Sequence, residues 1–234
     1  MASPGELVKR VAEVLGAPEA TVTVHDRNLA AAGLRTKGGR GKSAAKMTAS
    51  DVANLLLAVA GSSMVKDTVQ TVEDYASLPS RTGETSVQTD RTASHHGNAG
   101  QVWNLEAFPI PSLQTLKADH NFRDALVALI EAASDGTLSS AIENLPRKEV
   151  QGHTIPNLWR IEVILWGPYP QASVRIYCDG YSERHSYSAM PADMEGLTKW
   201  SKDIEGDPQF QGDLKQIREF SSKTLLAMGD LLKG

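Results

Sequence analysis

The chain has a single cysteine, Cys178. An internal disulfide is therefore excluded, and the lone thiol agrees with a reducing, cytoplasmic setting. Long apolar runs are missing too. Residues 55–61 form an apolar stretch far shorter than the roughly 20 residues a membrane-spanning helix needs. The first residues lack the charged, apolar and small-residue order of a secretory signal. No internal repeat is present. These absences lead us to expect a cytoplasmic protein with no membrane partner. At 234 residues the chain can form one large domain or two modest ones, and an apolar fraction of 41% suits a globular core.

One region lacks acids. Arg35, Lys37, Arg40, Lys42 and Lys46 fall within twelve residues that contain no Asp or Glu. Overall net charge is −4, yet residues 1–50 carry eight Lys/Arg against four Asp/Glu, a net of +4. The remainder carries sixteen against twenty-four, a net of −8. A local basic face can bind phosphates while the rest of a protein is acidic, so this asymmetry matters more than the total.

What is present predicts an α+β fold in three parts. Residues 1–78 read as a helical module. Leu7, Val8, Val11 and Leu15 recur at helical spacing, and Gly16 ends that helix. Pro18 suits the first turn of a second helix, which Gly33 closes after Leu29-Ala30-Ala31-Ala32. A third helix follows, with Thr48 or Ser50 as cap, Asp51 at its positive end, and Val52, Leu55, Leu56 and Val59 as its apolar stripe. Residues 65–78 suit a fourth. Residues 79–101 are polar and nearly empty of apolar side chains, which predicts a flexible linker. Residues 102–234 predict an α+β domain. Phe122, Leu126, Leu129, Ile130 and Ala133 mark a helix ending near Asp135-Gly136. Trp159, Ile161, Val163 and Leu165, then Val174, Ile176 and Cys178, alternate on either side of Gly167-Pro168-Tyr169-Pro170, the pattern of an antiparallel hairpin. Leu214, Ile217, Phe220, Leu225, Met228 and Leu231 predict a final amphipathic helix, a candidate dimer seam.

A helix-turn-helix needs a small residue in its first helix, a glycine-like residue in the turn, and apolar residues where the helices touch. Ala12, Gly16, and Val11, Leu15 and Val22 supply them. The segment Val11-Ala12-Glu13 … Gly16 … Thr21-Val22-Thr23 resembles the helix-turn-helix of the lac repressor family over about twenty residues. Three residues after Val22, where that pattern is apolar, this chain has His25. Either the second helix is rotated or Val24 takes the packing role. The β-branched run Thr21-Val22-Thr23-Val24 would also suit a strand. Pro18 before it and Leu29-Ala30-Ala31-Ala32 after it favour helix. The resemblance implies that Ala20, Thr21, Thr23, Val24, Arg27 and Asn28 face the major groove of double-stranded DNA. Thr and Ala can touch thymine methyls, Arg can pair with guanine, and Asn with adenine.

The basic run, with Gly38, Gly39 and Gly41, has the makeup of a wing, a hairpin or loop whose cations lie on phosphates. A P-loop reading of Gly41-Lys42-Ser43 fails because Thr36 stands where a glycine is needed and no apolar strand leads in.

Elsewhere the residues read as structural. Adjacent His95 and His96 have no third ligand nearby, so no metal site is expected. His153 and His185 border the hairpin and read as surface or packing residues. Ser182, His185 and Asp179 form a hydrolase trio only on paper, without a nucleophile-elbow motif. Cys178 reads as a small buried hydrophobe. Trp159, Trp166, Tyr169, Tyr177 and Tyr181 concentrate around the hairpin, and an exposed aromatic face there would mark a partner or stacking surface. Arg175 is a candidate for anion binding. No catalytic motif is present, so neither enzyme activity nor a cofactor is expected.

The sequence thus predicts a DNA-binding protein, a transcription regulator of bacterial or phage type, that forms a homo-oligomer through its C-terminal domain. The competing expectation is a protein-interaction or structural component, such as a phage packaging accessory, without sequence-specific DNA binding. An apolar recognition face with residues 35–46 turned away from it would favour the second.

Overall fold

The computed structural model describes residues 2–38, 45–89, 92–98, 102–145, 147–150, 153–156, 158–178, 180–191, 193–206 and 215–233. Its class is α+β, with helices stacked on one face of an antiparallel sheet.

The first three helices begin and end where local chemistry dictates. In α1 (Pro4–Leu15), Ser3 and Glu6 form a reciprocal capping box, with the Ser3 N–H donating to the Glu6 carboxylate at 2.7 Å. Gly16 ends α1 in the left-handed region at φ 66°. Helix α2 (Glu19–Ala32) starts after Pro18 and stops at Gly33, φ 80°. Residues 21–25 are therefore helical despite their β-branching, because burial of Val22 and Leu29 outweighs a weak local propensity. Helix α3 (Ala49–Gly61) has a Thr48–Asp51 capping box and is buried on nearly every side, so it forms the centre of the helical layer. It packs on α1, on α2, on α4 (Thr68–Ala76) and on α6 (Phe122–Asp135).

The sheet contains β1 (Ser80–Thr89), β2 (Thr92–Asn98), β5 (Trp159–Gly167), β6 (Gln171–Cys178), β7 (Tyr181–Ser188) and β8 (Gln216–Ser221), in the order β2-β1-β7-β6-β5-β8. Each neighbouring pair is antiparallel. A separate ribbon pairs β3 (Lys148–Val150) with β4 (His153–Ile155). The expected hairpin is β5–β6, at the middle of the sheet. Its inward residues Ile161, Val163, Leu165, Val174 and Ile176 are buried. Short helices α5 (Pro111–Gln114) and α7 (Thr137–Glu143) flank α6, while α8 (Met194–Gly206) buries none of its residues. Helix α9 (Ser222–Lys233) lies along α6. Its Gly229 permits that approach: an added Cβ would come within 2.4 Å of the Ala133 carbonyl carbon.

Three expectations need correction. Residues 79–101 are not a linker, because β1 and β2 occupy most of them and β1 pairs with β7. A strand is held through backbone groups, so a polar composition does not prevent pairing. The division into residues 1–78 and 102–234 fails as well. A single apolar core joins Leu7 and Val11 of α1 to Leu126 of α6 and Met228 of α9. Finally, the pattern from Ile217 to Leu231 is not one helix, and Leu214 lies outside the described residues. Ile217 and Phe220 belong to β8, and Leu225 and Met228 to α9. The latter two are fully buried, and α9 packs on α1 and α6, so this stripe is engaged within the chain rather than free as a dimer seam.

Candidate nucleic-acid interface

Helices α1, α2 and α3 each touch the other two, forming a three-helix unit. On α2, Val22, His25, Asp26 and Leu29 point into the core. The opposite side carries Ala20, Val24, Arg27 and Ala31, all exposed and spaced to form one stripe. Thus Ala20, Val24 and Arg27 come together as expected, and Ala31 joins them.

The departure at His25 has a third resolution. The helix is not rotated, and Val24 is 41% exposed, so it does not take the packing role. His25 itself fills the apolar slot and makes a hydrogen bond there. The Thr68 hydroxyl donates to Val65 O, which makes His25 Nδ1 the donor to Thr68 Oγ1, at 2.8 Å. Burial holds the His25 imidazole below its usual pKa.

Not every predicted base-reading residue is free. Asn28 is half-buried and its Nδ2 donates to Val65 O at 3.0 Å, so its amide holds α2 to the following helix turn rather than facing a base. Thr21 is half-buried on the same flank, and Thr23 donates back to Glu19 O at 2.8 Å. The signal missed was long-range, since Val65 lies 37 residues from Asn28.

The loop between α2 and α3 is anchored at both stems. Thr36 N and Thr48 N both donate to the Asp51 carboxylate, at 2.7 and 2.8 Å. Asn54 Nδ2 donates to Leu34 O at 2.6 Å, and Arg123 Nε of α6 donates to Asn54 Oδ1 at 3.0 Å. Arg35 turns inward, its Nε lying 2.9 Å from Asp26 Oδ1 with both side chains largely covered. It therefore closes the loop on α2 and is not a phosphate-facing cation. Burial raises the Asp26 carboxyl pKa, and the nearby Arg35 offsets that only in part. Lys37 and Lys46 are exposed at the two stems. Arg40 and Lys42 lie outside the described residues. The described parts of residues 33–48 form no strand, so they carry no hairpin wing. A cleft of about 750 Å³ opens beside the loop, with Arg35, Lys37 and Arg123 on its walls together with Asp51 and Glu73. Arg123 carries no local sequence signal, because it reaches this site from a helix that begins more than seventy residues after the loop.

Of the histidines in the C-terminal half, His120 and His185 are interior, whereas His153 is exposed on β4. His185 and Glu183 lie on the inward face of β7 and are 0% and 2% exposed. The Glu183 carboxylate accepts from Tyr181 OH (2.6 Å), His185 Nε2 (3.0 Å), Leu105 N (2.7 Å) and Asn104 N (2.8 Å). Burial alone would raise its pKa, but these four donors together hold it below the usual range. Trp103 stacks on His185 with ring centroids 3.8 Å apart. His120 donates from Nδ1 to Lys117 O at 2.7 Å, which leaves Nε2 to accept from Tyr187 OH at 3.0 Å. Strand alternation puts Ser182 and Arg175 on the opposite face of the sheet from His185, so the paper trio does not form. Asp179 lies outside the described residues.

No family model, curated protein or solved structure matches the chain.

Proposed function

We propose that the chain binds double-stranded DNA, with α1 and α2 as its helix-turn-helix and α2 entering the major groove. One observation carries this reading: the exposed stripe of α2 leads at its C-terminal end into a basic loop anchored at both stems. Ala20 and Val24 would touch thymine methyls and Arg27 a guanine edge, while Lys37 and Lys46, with Arg40 and Lys42 in the same acid-free run, would lie on phosphates. Duplex DNA titrated into the full chain at several salt concentrations tests it. The full chain is required because the N-terminal helices share their core with α6 and α9. Arg27→Ala should relax base preference, whereas Lys37→Ala and Lys46→Ala should weaken every sequence alike. Equal effects from all three would contradict this division between base reading and phosphate contact.

A second reading, docking of a protein on α2, draws on a specific observation. Three of the four residues in the exposed stripe are apolar, and Arg35 is turned away from it. Under that reading the chain shows no salt-dependent affinity for duplex DNA.

A further inference from the structure

Helices α3, α6 and α9 pack on the inner face of the sheet. The outer face of β5, β6 and β7 carries a trough of about 320 Å³. Strand register builds its centre. Arg175 on β6 lies directly opposite Arg184 on β7, and this pair is flanked by Glu162 on β5 and Glu84 on β1. Like charges directly opposite on neighbouring strands repel, and the flanking carboxylates are the expected remedy. They do not provide it. Glu162 lies 3.0 Å from Arg160 Nε, and Arg160 also pairs with Glu219. Among the described residues, neither Arg175 nor Arg184 has an acid within ion-pair distance.

Two further observations point to a ligand. Ser173 lines the trough and is 1% exposed, yet its Oγ has no hydrogen-bond partner. A buried hydroxyl is rarely left so. Trp166, half-exposed on the trough wall, has the Arg184 guanidinium 5.9 Å from its ring centroid. Two adjacent guanidiniums and a hydroxyl form a donor set matched to phosphate oxygens. An indole and a guanidinium plane form a platform on which a base stacks.

We propose that this trough holds one nucleotide unit, its phosphate on Arg175, Arg184 and Ser173 and its base against Trp166. The unit is either a free mononucleotide or one residue of a single strand, because the two present the same phosphate and base. Glu84, exposed at the rim, carries the remaining charge that faces the site. The proposal does not depend on duplex binding by α2.

The test is a fluorescence titration of the full chain with adenosine 5′-monophosphate, with a short oligothymidylate and with inorganic phosphate. Saturable quenching is expected with the nucleotide or the oligothymidylate, with inorganic phosphate weaker by roughly tenfold or more. Tighter binding of the mononucleotide identifies a free nucleotide as the source, and tighter binding of the oligomer identifies a single strand. Arg175→Ala and Arg184→Ala should each weaken binding by about tenfold or more without lowering Tm, since each removes one of two mutually repelling charges. Trp166→Phe should lose most of the quenching while calorimetry still detects binding. Arg27→Ala should leave binding of adenosine 5′-monophosphate unchanged, which separates the result from any failure of the duplex reading. Absence of saturation with both nucleotide and oligomer, equal affinity for inorganic phosphate, or undiminished binding in the arginine variants would each overturn the proposal.

Discussion

The two faces of the sheet treat charge in opposite ways. On the inner face Glu183 is almost fully covered and accepts four hydrogen bonds. On the outer face Arg175 and Arg184 sit side by side, and the carboxylate across from Arg175, Glu162, is engaged by Arg160. Helix α2 repeats the division. His25, Asp26 and Asn28 are tied to Thr68, Arg35 and Val65, whereas Arg27 stands in the exposed stripe. The difference separates polar groups tied down within the fold from those left exposed. Substitutions in the first set should therefore cost stability and spare binding, and those in the second should do the reverse.

The largest effect is expected at Glu183. Glu183→Ala leaves His185, Tyr181 and two backbone N–H groups without their acceptor, and should cost about 3–5 kcal/mol in denaturant unfolding. A loss under ~1 kcal/mol would remove the inner-face half of the comparison. Gly229→Ala comes next. The added methyl meets backbone atoms of Ala133, and separating α6 from α9 should cost about 1–3 kcal/mol, read as a fall in Tm.

Acid should weaken the same interior. Burial depresses the pKa values of His25 and His120, so their unfolded forms take up protons first. Their contribution is complete above the ordinary histidine value and is lost as pH falls from there through their lowered folded-state values. Glu183, also depressed, adds a further loss at lower pH, below the ordinary carboxylate range. Melting curves recorded from pH 8 to pH 5 should show a falling Tm, and His25→Gln should flatten that slope. The smallest effects belong to the outer set. Lys37→Ala and Lys46→Ala should leave Tm unchanged, while each reduces the salt slope of DNA binding by about one unit.

Much of the fold was legible because its signals are local. Gly16, Gly33 and Gly136 end helices, the Thr48–Asp51 pair starts one, and alternation from Trp159 to Cys178 makes the hairpin. What failed was non-local. Nothing in the polar composition of residues 80–98 announces that β7 supplies a partner strand. Periodicity over residues 214–231 ran through a junction between strand and helix. The candidate site residues follow the same rule. Exposure of Ala20, Val24 and Arg27 follows from spacing along one helix. The engagement of Asn28 and Arg35, the arrival of Arg123 beside the basic loop, and the pairing of Arg175 with Arg184 all depend on tertiary register.

The central claim is that the exposed stripe of α2 and the basic loop dock on duplex DNA. Anisotropy titration of the full chain with a labelled duplex, from about 50 to 200 mM salt, tests it most directly. The account predicts saturable binding whose log–log salt slope is about −3 to −4, as Lys37, Arg40, Lys42 and Lys46 neutralise phosphates. No saturable binding at the lowest salt, or a slope near zero, would contradict it.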